Sequence, residues 1–153
     1  MAAVVVRQVD ADWVLPLRCA VLRGGRPPEE THFDGDRGDQ TVHLAASAGD
    51  EVVGVVTLMR EDRSETPTAA WRLRGMAVSP SWRGRGVGGR LLAEVRRRWE
   101  HDALWCHART PARKFYERHG WVAVSDVFEI EHFGPHVTMV WPADAGGGGA
   151  ADV

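Results

Sequence analysis

The stretch Arg83-Gly84-Arg85-Gly86-Val87-Gly88-Gly89 constrains this chain more than any other. It follows residues 71–78, which read as a strand. It precedes Leu91, Leu92, Val95 and Trp99, which recur at helical spacing while Glu94 and Arg98 form an i,i+4 pair on another face, so a helix is predicted over 88–101. A strand, a glycine-rich turn and a helix together aim several unpaired backbone N–H groups at one point, where the helix dipole favours negative charge. Glycines at 84, 86, 88 and 89 permit positive φ and let a diphosphate approach the main chain without meeting a Cβ atom. Arg83, Arg85 and Arg90 add charge-assisted contacts. The turn reads as a phosphate cradle.

The charge distribution agrees. The net charge of −2 hides 7 basic and 12 acidic residues over 1–70, 12 and 4 over 71–118, and none and 5 over 119–153. A basic band between acidic flanks suits a compact anionic ligand, whereas the flanks would oppose a long polyanion, so no nucleic-acid partner is expected. Arg96, Arg97 and Arg98 by themselves read as a solvated helix face. At 153 residues the chain suits one domain, and its longest apolar runs are too short to span a bilayer. The first residues, Met1-Ala2-Ala3-Val4-Val5-Val6, carry no basic leader, which makes the cytoplasm the expected compartment. Cys19 and Cys106 read as buried reduced side chains rather than a bridge or a metal site.

Along the chain, Val4-Val5-Val6 reads as a first strand, and Asp10 or Asp12 caps a helix carrying Trp13, Val14, Leu17, Val21 and Leu22, with Pro16 in its first turn or at a kink. Residues 23–40, rich in Gly, Pro, Asp and Glu, read as a mobile loop. Residues 41–47 and 51–60 are apolar, β-branched runs joined by Ala48-Gly49-Asp50, a hairpin signature. After the glycine turn and its helix, 104–108 reads as a short strand. Thr110 caps a second helix over 111–119 with Pro111 at its first position and Gly120 past its end. Strands over 121–124 and 137–141 complete the order β-α-β-β-β-α-β-α-β-β, a mixed sheet with helices on both faces. Residues 143–153, Gly- and Ala-rich, read as a flexible tail after a domain of residues 1–142.

The glycines also satisfy G-x-G-x-x-G as Gly84, Gly86 and Gly89. A dinucleotide-binding fingerprint opens a βαβ unit and has an acidic residue about twenty positions on. Here several strands precede it and Arg109 stands at the later position, a residue that would suit a phosphorylated ribose; that reading and a purely structural glycine turn stay open.

The segment Met76-Ala77-Val78-Ser79-Pro80-Ser81-Trp82-Arg83-Gly84-Arg85-Gly86-Val87-Gly88-Gly89-Arg90-Leu91-Leu92 resembles the central motif of the GNAT superfamily of acyl-CoA N-acyltransferases, with Arg83, Gly86 and Gly88 filling Gln/Arg-x-x-Gly-x-Gly/Ala. Ala112-Arg113-Lys114-Phe115-Tyr116-Glu117-Arg118-His119-Gly120-Trp121 resembles the family's A-x-x-F-Y-E-x-x-G-F segment. The resemblance spans roughly residues 4–141 and implies an α/β (α+β) fold with a mixed, mostly antiparallel central sheet and helices on both faces. It implies acetyl-CoA as co-substrate and transfer of the acetyl group to a primary amine of a small molecule or peptide. The main chain of Met76, Ala77 and Val78 would pair with the pantetheine arm and donate an N–H to the thioester oxygen, and residues 84–89 would hold the pyrophosphate. Tyr116, the only tyrosine, matches the position whose hydroxyl protonates the CoA sulfur, and a phenol donates that proton while neutral. Its alternative role is packing beside Phe115.

The general base stays open. Relatives often carry a carboxylate on the central strand, but Trp71-Arg72-Leu73-Arg74-Gly75 has none. Glu129, Glu131 and His136 from the last strands, His43 from an earlier one, or a water relay are the candidates. Gly134-Pro135 between His132 and His136 rules out a helical metal pair, and no metal is expected. Where relatives often place a pantetheine-binding asparagine, Cys106-His107-Ala108-Arg109 stands, with His107 or Arg109 as its substitute. For the acceptor, Glu29, Glu30, Asp34, Asp36 and Asp39 would attract a cation, while Arg18, Arg23 and Arg26 would hold a carboxylate. The chain is expected to act as a monomer or homodimer. A CoA-binding sensor without turnover is the alternative function.

Overall fold

The computed structural model describes residues 3–22, 33–61 and 69–142. Among the described residues, eight strands and three α-helices run in the order β1 (Val4–Val9), α1 (Ala11–Leu22), β2 (Thr41–Ala48), β3 (Glu51–Arg60), β4 (Ala69–Val78), α2 (Val87–Arg98), β5 (Ala103–Arg109), α3 (Arg113–Arg118), β6 (Val122–Ala123), β7 (Phe128–Ile130) and β8 (Gly134–Trp141). The strands hydrogen-bond in the order β1-β2-β3-β4-β5-β8-β6, with β7 also on β8. The expected mixed, mostly antiparallel sheet is present; β4 with β5 is a parallel pair. The fold comprises two compact units, Met1–Met59 with Leu73–Arg98, and Arg60–Arg72 with Trp99–Val153.

In the first unit, β1 and β2 pair antiparallel from Val4↔Ala48 to Val9↔His43, and β2 and β3 form the expected hairpin, turning at Gly49-Asp50. Val53, Val55, Val56 and Leu58 are fully buried, because this part of β3 is covered on both faces. On one face Ala45, Val55 and Ala77 pack with Val14 of α1. Neighbouring strand residues point oppositely, so Gly54 faces the other way, where a Cβ atom would lie 2.6 Å from Val87 and 3.1 Å from Leu91 of α2. The two helices therefore cover opposite faces of this unit. Val87, Leu91, Leu92 and Val95 are the buried stripe of α2, and each such side chain contributes about 1.5–3 kcal/mol by leaving water. The expected Glu94–Arg98 pair forms along the edge of this stripe at 2.7 Å.

In the second unit, the opening of β4 pairs with β5 through Trp71↔Leu104 and Arg72↔Trp105. Then β5 pairs antiparallel with β8 from Leu104↔Trp141 to Arg109↔His136. Residues directly opposite share a face, so Trp105, His107, Arg109, His136 and Thr138 lie on one side and Leu104, Cys106, Ala108, Val137 and Met139 on the other. Two local expectations fail here. Thr110 does not cap a helix: Thr110–Ala112 form a 3-10 turn, and α3 follows from Arg113 without a side-chain cap. Phe128–Ile130 pair with β8 as a strand that no alternation signalled, three residues being too short for a pattern. The expected tail at 143–153 and most of the expected loop at 23–32 lie outside the described residues.

Candidate active site

After β4, the Ser79 N–H donates to the Val53 carbonyl at 2.8 Å and Pro80–Trp82 make one 3-10 turn. Gly84 and Gly86 then adopt φ of +77° and +82°, and a Cβ atom at either would meet nothing within 4 Å. Left-handed glycines alternating with Arg85 turn successive N–H groups into one concavity, and α2 begins directly behind it. Gly88 and Gly89 need no special conformation; both sit inside the first turn of α2, where their N–H groups are among the unpaired donors of the helix start. Arg83 and Arg85 are exposed, with the Arg85 guanidinium 4.8 Å from the Trp82 ring centroid. Arg90 departs from the expected role, because its Nη2 donates to the Val4 carbonyl at 2.8 Å and ties α2 to β1.

Ahead of this turn, β4 breaks its extended conformation at Gly75, whose φ is +69°. A Cβ there would stand 2.9 Å from Arg18 Nε and 3.1 Å from the Phe33 ring. Both backbone and packing demand glycine. Met76, Ala77 and Val78 follow it, Ala77 being buried and the other two half-buried.

Gly75 abuts a buried polar network that the sequence did not announce. Arg18 of α1 is fully buried and its two terminal nitrogens donate to Asp36 at 2.8 and 3.2 Å. Arg18 Nη2 also donates to Thr57 Oγ1 at 2.8 Å. The His43 ring spans Thr57 Oγ1 and the Asp36 carbonyl, each at 2.7 Å. A carbonyl only accepts, so Nε2 carries the proton and Nδ1 accepts from the Thr57 hydroxyl. Burial, foremost among the causes, lowers the His43 pKa and keeps it neutral. With both nitrogens engaged, His43 is not placed to take a substrate proton. The expectation that Asp36 attracts a cation and Arg18 holds an acceptor carboxylate is corrected in the same way: each neutralises the other.

Tyr116 lies in the second unit on α3, 5% exposed, edge-on to Phe115 at 5.2 Å and to Trp121 at 5.4 Å. Burial, reinforced by the Cys106 thiol, pushes its hydroxyl well above the ordinary phenol value, so it stays protonated. His136 is buried on the face of the β5–β8 pair that carries His107 and Arg109, and its ring stacks on Phe128. Its Nδ1 lies 2.8 Å from the Gly134 carbonyl. Nδ1 must therefore carry the proton, which leaves the Nε2 lone pair as the basic site in the neutral ring. Glu129 is exposed opposite Pro135, on the face that does not carry His136, so β7 does not bring these two candidates together. Glu131 is exposed beside His132 in the turn. His107 is half-buried, its Nδ1 3.1 Å from Thr138 Oγ1, and Arg109 is half-buried opposite His136. No group of potential metal ligands occurs among the described residues, and no described helix is long and apolar enough to cross a membrane.

The chain is 23% identical over 138 residues to the uncharacterized N-acetyltransferase YitI of Bacillus subtilis (strain 168), covering 88% of this chain and 93% of that one. The crystal structure of Escherichia coli ElaA superposes with a TM-score of 0.73 at 19% identity, covering 92% of this chain and all of the other. An aminoglycoside 6'-N-acetyltransferase complexed with coenzyme A superposes with a TM-score of 0.64 at 16% identity, over 89% of this chain and 95% of the other. These structural likenesses establish a shared fold. The acetyltransferase (GNAT) domain family matches residues 39–123, more than half of the chain and the whole of the glycine turn, and the chain belongs to that family.

Proposed function

We propose that the protein moves an acetyl group from acetyl-CoA to a primary amine of a small molecule or peptide. The observation that carries this reading is the open left-handed pair Gly84 and Gly86 in front of α2, a cradle that any Cβ would begin to fill. A pyrophosphate suits it, with N–H groups from Val87, Gly88 and Gly89 and charge from Arg83 and Arg85. The coenzyme A in the related aminoglycoside acetyltransferase supports the same ligand. The β4 main chain at Met76, Ala77 and Val78 would supply pantetheine contacts and an N–H for the thioester oxygen.

In this reading His136 Nε2 takes a proton from the acceptor ammonium, and the neutral nitrogen attacks the thioester carbon. As the C–N bond forms and the C–S bond breaks, the Tyr116 hydroxyl gives its proton to the departing sulfur, and the proton still carried by the acylated nitrogen leaves to solvent, which reprotonates Tyr116. Glu129, exposed on the other face, is the weaker candidate for base. The protein would act as a monomer or homodimer in the cytoplasm.

The test measures thiol release from acetyl-CoA across a panel of amines, with Tyr116→Phe as the diagnostic variant. The expected result is amine-dependent release that falls by about 10²–10⁴-fold in the variant with CoA affinity retained. Tight CoA binding without release for any amine would replace the enzyme by a CoA sensor. Unchanged turnover across pH in Tyr116→Phe would reduce that residue to packing.

A further inference from the structure

We propose that Arg72 anchors a carboxylate carried by the acceptor at a distance from its amine; this rests on the acetyl-transfer reading and names its substrate class. In the second unit, Arg72 stands opposite Trp105, and its guanidinium carbon lies 4.8 Å from the Trp105 ring centroid. The indole is fixed, since its Nε1 donates to the Glu61 carbonyl at 2.7 Å. Arg72 meets the Glu61 carboxylate through Nη1 alone, at 3.4 and 3.3 Å. Those contacts are longer than the roughly 2.7–2.9 Å of strong charge-assisted bonds. Its buried Nε has no partner among the described residues, although 17% of the side chain reaches the surface.

Guanidinium groups hold carboxylates through two parallel N–H bonds, and Nε with Nη2 forms such an edge. Glu61 thus sits loosely at one corner of the fork, while the edge that would clasp a second carboxylate is stacked on an immobilised plate and unfilled. Buried donors without partners are rare in native proteins and call for an explanation; a bound carboxylate supplies one.

The same face carries the base. Ring centroids step from Trp105 to His107 at 5.2 Å, on to Phe128 at 5.0 Å and to His136 at 6.2 Å. Arg72 lies opposite Trp105 and His136 opposite Arg109, a separation along β5 of about 13 Å at roughly 3.3 Å per residue. An α-amino acid is too short to reach both. An extended molecule of about tripeptide length, with a free amine at one end and a carboxylate at the other, spans the distance.

The experiment compares triglycine with triglycinamide in the wild type, Arg72→Gln and Arg72→Lys. It also follows the Arg72 Nε–H resonance of the ¹⁵N-labelled protein on titration with each peptide. The proposal expects kcat/KM to favour triglycine by at least about tenfold, the preference falling toward one in Arg72→Gln and recovering only partly in Arg72→Lys. It expects the resonance to move with triglycine and stay in place with triglycinamide. Acetylation without a preference for the carboxylate overturns the anchor, as does a resonance that moves with inorganic phosphate and not with triglycine. A resonance that moves with triglycine while no amine is acetylated supports the anchor and overturns the transfer reading instead.

Discussion

Phe33 has the guanidinium carbons of Arg18 and Arg74 at 3.9 and 3.8 Å from its ring centroid. Two groups that close above one ring face would collide, so the ring is clasped from both sides. The Phe33 N–H also donates to Asp36 at 2.6 Å, so the residue is bound into the Arg18 network by backbone as well as by ring. Asp36→Ala leaves the Arg18 charge buried and unpaired, and the expected loss is about 3–5 kcal/mol, read as a shift in urea midpoint at constant slope. Arg18→Met with Asp36→Leu should recover most of that loss. A single-variant loss below about 1 kcal/mol would show that the pair is not the fastening of this loop.

His43 gives that network a pH dependence. Its folded pKa lies below the ordinary 6.5, burial being the main cause. Below that pH the unfolded chain takes up the proton before the folded one does, so the contribution of His43 is level above pH 6.5 and declines as pH falls through it. Urea titrations at about pH 7.5 and pH 5.5 should show a smaller acid loss in His43→Gln than in the wild type. An equal or larger loss in the variant would reverse the assignment of the neutral ring.

Gly75→Ala should be among the most damaging single changes in β4. Its φ is +69° and the added methyl would approach Arg18 Nε to 2.9 Å. Left-handed strain accounts for about 1–2 kcal/mol and displacement of the buried arginine adds to it. Thermal denaturation beside Gly49→Ala, where φ is +61° but nothing lies within 4 Å, separates the two contributions. Equal losses at both positions would leave strain as the whole effect.

Gly86→Val tests the cradle. No atom stands within 4 Å of the added Cβ, so stability should fall only by the conformational cost of about 1–2 kcal/mol. The dissociation constant for CoA, measured by calorimetry, should rise at least about tenfold as the side chain occupies the space assigned to the pyrophosphate. Full CoA affinity in the variant would move the binding site elsewhere.

His136→Gln should lower kcat/KM by about 10²–10⁴-fold, while the Kd for CoA holds. Glu129→Gln, exposed on the other face of β7, should leave kcat/KM near its wild-type value. If the two variants exchange these effects, the base is Glu129.

What the chain alone determined is local or periodic. The strand, glycine turn and helix, the hairpin at Gly49-Asp50, and the stop at Gly120 are written in residues a few positions apart, where dihedral preference and helical spacing act directly. The second motif likewise places Tyr116 by its neighbours in sequence. Tertiary structure decided whatever depends on partners brought from afar. Arg18 read as a holder of an acceptor carboxylate, and only the arrival of Asp36 and Thr57 turns it inward and makes its burial tolerable. The roles of His43 and His136 could not be separated by type, since both are buried histidines on strands; what distinguishes them is whether one ring nitrogen or both meet a partner. Gly75 has the same explanation: nothing in Arg74-Gly75-Met76 requires a left-handed residue until Arg18 and Phe33 close on it. Local propensity is encoded in adjacent residues, whereas the pairing of a buried charge or the tautomer of an imidazole is fixed by distances that only folding creates.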